Sequence, residues 1–326
     1  MTFHYPTCRI FFLLILILLS PLDLTVNAQE GVLEGIELDV LYYEGLQKVA
    51  METADIYPSI KKELERIIGW KVDFKPGVVL VGDINQFKMM SGNDLTVAYA
   101  LPDRNIIVID YSRIKTDPFD LGSILKHELC HLLLHDGIES ERLPRWLDEG
   151  IAQWVSGGLA DIVVEKRQVL TRAVLQNRII KLKYLNEAFP DEEGMMALAY
   201  AESKDFIEYM IRLKGIEAIL SILRSLSAGD DIDNAVMKTF SLSLDEMERD
   251  WHKSLEKKAT WTSVVINNLY EALFFLAAVA LIIGFYRVWR RKREYGAGDE
   301  DNEGQQGANR KEDREEGKED REEGKE

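Results

Sequence analysis

The chain predicts an α+β fold: a small β-sheet-bearing N-terminal lobe and a helical C-terminal lobe, set around one helix between them. Three observations carry this. Short β-rich runs separated by turn residues crowd positions 72–109. From Leu121 onward, apolar residues recur at helical spacing, punctuated by glycines and prolines. Between the two regimes, three of the chain's five histidines fall within residues 127–135, in an apolar frame of Ile124-Leu125 and Leu132-Leu133-Leu134.

In order along the chain, Leu33 to Gly69 reads as helical, with Val40, Leu41, Leu46 and Val49 on one stripe and Ile60, Leu64, Ile67 and Ile68 following a break at Pro58. Val72 to Asp83 reads as strand and turn, and Asn85 to Met90 as a short helix. Thr96 to Leu101 and Ile106 to Ile109 flank Pro102-Asp103-Arg104-Asn105, the pattern of a hairpin. Asp117 or Asp120 can cap a helix from Leu121 to about Leu134, stopped by Gly137. A second helix starts at Pro144 and ends at the glycines of 157–158. Leu159 to Lys258 reads as helical, with breaks at Pro190, Gly215 and Gly229.

The two ends carry targeting signals. Ile10 to Leu19 is a short apolar run ended by Ser20-Pro21, and Val26-Asn27-Ala28 offers small residues for cleavage. That is the pattern of a secretory signal peptide over 1–28, too short for a spanning helix of about 20 residues; an uncleaved anchor is the competing reading. Residues 264–286 form a second apolar run, long enough to cross a membrane, with aromatic residues near its ends. Arg287, Arg290, Arg291, Lys292 and Arg293 follow at once, which marks the cytoplasmic side. The expected order is therefore signal peptide 1–28, extracytoplasmic domain 29–263, one transmembrane helix 264–286, and a basic cluster with a charged cytoplasmic tail over 287–326. The tail repeats Lys311-Glu312-Asp313-Arg314-Glu315-Glu316-Gly317 and offers no large apolar residue to bury, so it is expected to be disordered. A cytoplasmic partner for it is conceivable but has no motif behind it.

Charge and cysteine content narrow the classes. Asp and Glu number 56 against 40 Lys and Arg, for a net charge of −16, which argues against nucleic acid as a partner. Of two cysteines, Cys8 leaves with the signal peptide. Cys130 then has no internal partner, so the exported domain must be held by its core. A packed, inert thiol is its simplest role.

His127-Glu128-Leu129-Cys130-His131 carries the chemistry. On a helix, residues four apart share a face, so both imidazoles can grip one zinc ion, with Glu128 beside them. His135 extends the row but lies eight residues from His127, about 12 Å along the axis. That is too far to reach the same ion, and a helix-end role is expected instead. A third ligand must come from elsewhere. The candidate is Glu149, in Trp146-Leu147-Asp148-Glu149-Gly150-Ile151-Ala152. Asp148 and Gln153 are the candidates to orient the ligand histidines. His252 reads as a packing or surface residue.

This pairing of motifs resembles the gluzincin zinc metallopeptidases, and within them the peptidase MA-like family, over about residues 70–258. The resemblance implies one zinc per chain, held by His127, His131 and Glu149, with Glu128 as the catalytic water-activating glutamate. It also implies a tyrosine or histidine from the helical lobe to steady the oxyanion; Tyr200 is the residue placed for it. The upstream exopeptidase motif of the aminopeptidase branch is not found, so an endopeptidase acting on peptides or proteins is expected. The strand at 96–101 could pair with an extended substrate. The competing reading is a catalytically inactive, metal-stabilised binding or scaffolding ectodomain.

Overall fold

The computed structural model describes residues 30–92, 95–114, 120–157 and 167–259, and 269–291 apart from 270 and 272. The signal peptide, the first part of the expected membrane run, Lys292-Arg293 and the charged tail lie outside the described residues, as does Asp117.

Strands β1 (Gly31–Glu34) and β2 (Asp39–Tyr42) open the domain as an antiparallel pair. Helix α1 (Gln47–Ile68) leads to β3 (Gly77–Val81), which pairs parallel with β2. Helix α2 (Ile84–Ser91) then precedes β4 (Ala98–Leu101) and β5 (Ile106–Asp110). β5 runs parallel to β3, and β4 turns back antiparallel to β5 through a 3-10 turn at Pro102–Arg104. The sheet order is β1-β2-β3-β5-β4, which leaves β4 at an edge.

The central strands, Gly-Val-Val-Leu-Val and Ile-Ile-Val-Ile-Asp, are buried throughout, as strands covered on both faces must be. Their side chains alternate between two clusters. Val78, Leu80, Ile107 and Ile109 join the main core, while Val79, Val81, Ile106 and Val108 pack with Phe87 of α2.

The expectation of helix from Leu33 to Gly69 fails over its first part. Val40 and Leu41 belong to β2, each facing a different cluster, because pairing with β3 satisfies this segment's backbone. Nor does Pro58 break the helix; it lies inside α1. The proline gives up one N–H donor, but the stripe of Tyr57, Ile60, Leu64 and Ile68 buries continuously on either side of it.

After the one-turn helix α3 (Tyr111–Ile114), Asp120 caps α4 (Leu121–Gly137), its carboxylate accepting from Ser123 N at 2.8 Å. Helix α5 (Arg145–Val155) starts after Pro144. Helices α6 (Arg167–Leu175), α7 (Glu193–Lys214), α8 (Ile216–Ser227) and α9 (Ile232–Phe240) follow, with a last helical stretch over 244–259. Between α6 and α7 the chain is not helical apart from one 3-10 turn, Leu182–Leu185, against expectation. This stretch is held by side chains instead. Glu202 accepts from Ile180 N, and Glu248 accepts from Leu182 N at 2.7 Å. One continuous core runs from the sheet to these helices. At its helical end Phe206 packs edge-on to Trp146 at 5.3 Å and against Trp251 at 5.1 Å.

A second unit begins after Ala259. Its described part contains one helix, Leu273–Arg291, long and apolar enough to cross a membrane. Its apolar side chains, among them Phe274, Phe275, Leu281 and Phe285, are exposed. Nineteen residues give about 28 Å of rise, close to the hydrocarbon thickness. The helix runs on through Arg287, Arg290 and Arg291 rather than ending before them.

Candidate metal centre and cleft

α4 places His127 and His131 on one face, as the spacing requires. Their Nε2 atoms stand 3.2 Å apart and the rings meet at 82°. α5 lies against α4 and brings Glu149 to them. Its Oε2 is 3.5 Å from His127 Nε2 and 3.6 Å from His131 Nε2. One donor atom from each of the three residues falls within 4.8 Å of the others, and all three residues are buried.

The chemistry of this cluster fits a divalent cation. Glu149 Oε2 is buried and has no hydrogen-bond partner. An orphaned carboxylate oxygen in such a place is costly unless something positive meets it. Two imidazole nitrogens and one carboxylate oxygen make a three-donor set used by catalytic zinc, which keeps its fourth position open.

Both histidines are oriented through their other nitrogen. His131 Nδ1 lies 2.7 Å from Asp148 Oδ1, and His127 Nδ1 lies 3.4 Å from Ser156 Oγ. Nδ1 therefore carries the hydrogen in His131, and Nε2 is left to face Glu149. Of the two residues expected to orient the ligands, Asp148 meets a histidine while Gln153 lines the cleft. Ser156 was not foreseen; a serine at a helix end gives no sequence signal for this. His135 sits in the last turn of α4, as expected, and has a further role there. Its Nε2 is 3.3 Å from the other oxygen of Asp148, and its Nδ1 is 3.1 Å from Ser140 Oγ. It thus braces Asp148, two steps from the metal position.

Arg145 is the other residue sequence reasoning missed. Its Nη2 lies 2.6 Å from Glu149 Oε1, the oxygen turned away from the histidines. Tyr200, from α7, donates to the same oxygen at 3.5 Å, with its ring edge-on to Phe189. Glu128 is buried among these groups.

The charges respond to burial and to one another. Burial raises the Glu128 carboxyl above its ordinary range, although His127 and His131 oppose this. Burial acts on Glu149 in the same direction, but His131 and Arg145 outweigh it and hold that carboxyl well below the usual range. For His131 burial works downward and is overcome by Asp148 and Glu149, which raise it well above an ordinary histidine. Tyr200 is raised, chiefly by burial and then by Glu149, so its phenol keeps its proton. Burial also raises Cys130, an inert packed thiol at the back of α4.

These residues floor a cleft of about 420 Å³. One wall is the edge strand and the residues before it, Leu95 to Ala100; the other comes from α7 through Glu193, Met196, Ala197 and Tyr200. His252 lies apart from the cleft, half-buried on the last helical stretch beside Trp251.

Residues 83–257 match the sequence profile of the Peptidase MA superfamily. No curated protein matches this sequence. Solved structures similar to this chain include an M1 zinc metallopeptidase from Deinococcus radiodurans, at 15% identity and a TM-score of 0.43, covering 69% of this chain and 51% of that one. Leukotriene A4 hydrolase from Saccharomyces cerevisiae is similar at 13% identity and a TM-score of 0.41, over 65% of this chain and 36% of its own. Aminopeptidase A of Legionella pneumophila follows at 16% identity and a TM-score of 0.39, over 69% of this chain and 28% of its own. The chain thus spans about half or less of these proteins.

Proposed function

This chain belongs to the Peptidase MA superfamily, and on that premise we propose that it is a membrane-anchored zinc peptidase that hydrolyses peptide bonds outside the cytoplasm. One observation carries the reading: His127 Nε2, His131 Nε2 and the unpartnered Oε2 of Glu149 converge at the floor of a cleft that Glu128 also lines. Those three residues would hold the metal. Zinc, when bound, supplies a Lewis acid and a water acidified to about pKa 7.

The chain's own groups do the rest. Glu128 moves a proton, accepting it at its carboxylate during attack on the peptide carbonyl and returning it to the leaving amine. Its raised pKa suits this, because a carboxylate whose pKa lies nearer the working pH takes up the proton more readily. Tyr200, kept protonated, donates to the carbonyl oxygen as negative charge grows there. β4 lies at the sheet edge along the cleft, so an extended peptide can bind there through main-chain hydrogen bonds. Binding along the length of a peptide favours an endopeptidase.

The anchoring part of the reading rests on the exposed apolar helix Leu273–Arg291 and on the arginines at its C-terminal end. Basic residues favour the cytoplasmic side, which puts the peptidase domain, within 29–263, on the other side and the tail inside.

Glu128→Gln tests the enzyme. The full-length variant should keep one zinc per chain and lose at least about 100-fold in peptide hydrolysis. Zinc retained with hydrolysis undiminished would sink the mechanism, and a wild type that binds zinc and cuts nothing would leave the scaffold reading.

A further inference from the structure

We propose that Arg145 is a positioning residue that reserves a single oxygen of Glu149 for the metal. The inference rests on the zinc reading above. Glu149 presents its two oxygens to different surroundings. Oε1 forms an ion pair with Arg145 Nη2 at 2.6 Å and accepts from the Tyr200 hydroxyl at 3.5 Å. Oε2 has no hydrogen-bond partner and faces both histidine nitrogens, at 3.5 and 3.6 Å. A carboxylate can bind a cation through one oxygen or two. A cation already paired with Oε1 opposes the second mode and leaves Oε2 as the ligand atom.

The position of Arg145 runs against local helix preference. It is the first residue of α5, where the helix dipole disfavours a cation. Its order with Glu149, base before acid at i,i+4, is the weaker one for helix stability. A residue that breaks local rules beside a site marks a functional demand. Two further contacts fix it there. Its backbone N donates to Asn186 O at 2.8 Å, and its Nη1 stands 3.8 Å from Asp148 Oδ2. The side chain stays 45% exposed on the cleft wall. The guanidinium therefore reaches the back of the ligand from solvent without entering the donor set.

Cobalt, a spectroscopic stand-in for zinc, tests this in the full-length chain. Four-coordinate cobalt absorbs more strongly in the visible than five- or six-coordinate cobalt. Wild type and Arg145→Lys should show the intense spectrum. Arg145→Met, or Arg145→Gln if the first folds poorly, should lose intensity as the second oxygen joins. In the zinc form the neutral variants should lose about 10- to 100-fold in kcat, with KM moving less than about threefold and lysine restoring much of the loss. Unchanged cobalt spectra in the neutral variants would overturn the proposal. So would a raised KM at constant kcat, which would make Arg145 a substrate-gripping group. If the wild type itself takes up no cobalt or zinc, the zinc reading falls and this inference with it.

Discussion

Helices α4 and α5 contribute to one site in different ways. α4 brings two rings and Glu128 in a frame of leucines, buried from Leu129 to Leu134 without a break. Its geometry is local: four residues on one helix put His127 and His131 side by side whatever surrounds them. α5 brings Glu149, Asp148 and Arg145, with Ser156 just past its end. Each of these acts on a neighbour, three by holding another side chain in place. α4 decides where a metal can sit, and α5 decides how it is held. A short motif can encode the first, but the second exists only when two helices pack.

That division predicts unequal support for the two histidines. His131 has a short bond to a carboxylate at 2.7 Å, whereas His127 has a long contact to a hydroxyl at 3.4 Å. Asp148→Asn should weaken zinc binding by about 10- to 100-fold, because the amide neither carries charge nor fixes the tautomer as firmly. Ser156→Ala should cost only a few-fold, about 1 kcal/mol or less, as for one weak neutral hydrogen bond. Competition with a chelator of known affinity measures both. Equal losses would mean that α5 supports the two rings alike, against the distances.

The contrast extends to packing. Gly150 sits beside Glu149 where α5 crosses α7. A Cβ there would stand 2.7 Å from Ser203 O and 2.8 Å from Ile207 Cγ1. Backbone cannot yield as a side chain does, so Gly150→Ala should destabilise by about 1–3 kcal/mol despite alanine's better helix propensity. Gly122, on α4, is the control. There the nearest atoms to a Cβ are ends of side chains, Asp120 Oδ2 at 3.3 Å and Ile60 Cδ1 at 3.9 Å, and Gly122→Ala should change stability by less than about 1 kcal/mol. Denaturant midpoints for both variants would show whether α5 is the tightly fitted helix.

The same asymmetry explains what the sequence disclosed. The histidine pair, Glu128 and the α4 cap at Asp120 were legible because each depends on spacing along one helix. The hairpin from β4 to β5 was legible from its alternating run and turn residues. Glu149 was reachable because its own segment carries a resemblance. Arg145, Ser156 and the bond from His135 to Asp148 were not, since each depends on which helix faces which. The end of β1 and all of β2 were read as helix for a related reason. Four-residue strands are too short to display a period, and Val40-Leu41 followed by Leu46 and Val49 mimics a helical stripe. Pairing with each other and, for β2, with β3 nearly forty residues on makes these segments strands.

Behind α5, helix α7 carries a buried charge problem of its own. Glu202 is fully buried, and its two oxygens accept from Ile180 N at 3.1 and 3.2 Å. Burial pushes its pKa up to about 9, helped by Glu248 and opposed by the Ile180 bond. The folded state therefore holds a proton that the unfolded chain, titrating near 4.5, has released. Between those values folding takes up a proton, so this group's stabilisation is complete below pH 4.5 and is lost as pH rises toward 9. The slope is at most about 1.4 kcal/mol per pH unit. Glu202→Gln stays neutral throughout and can still accept from Ile180 N. Relative to wild type it should gain stability steadily from pH 6 to pH 8, with little advantage near pH 5. The difference between the two denaturation profiles isolates this group from every other titration. Parallel profiles would show that Glu202 is ionised in the folded protein, and that α7 supports α5 with a buried charge as α5 supports α4.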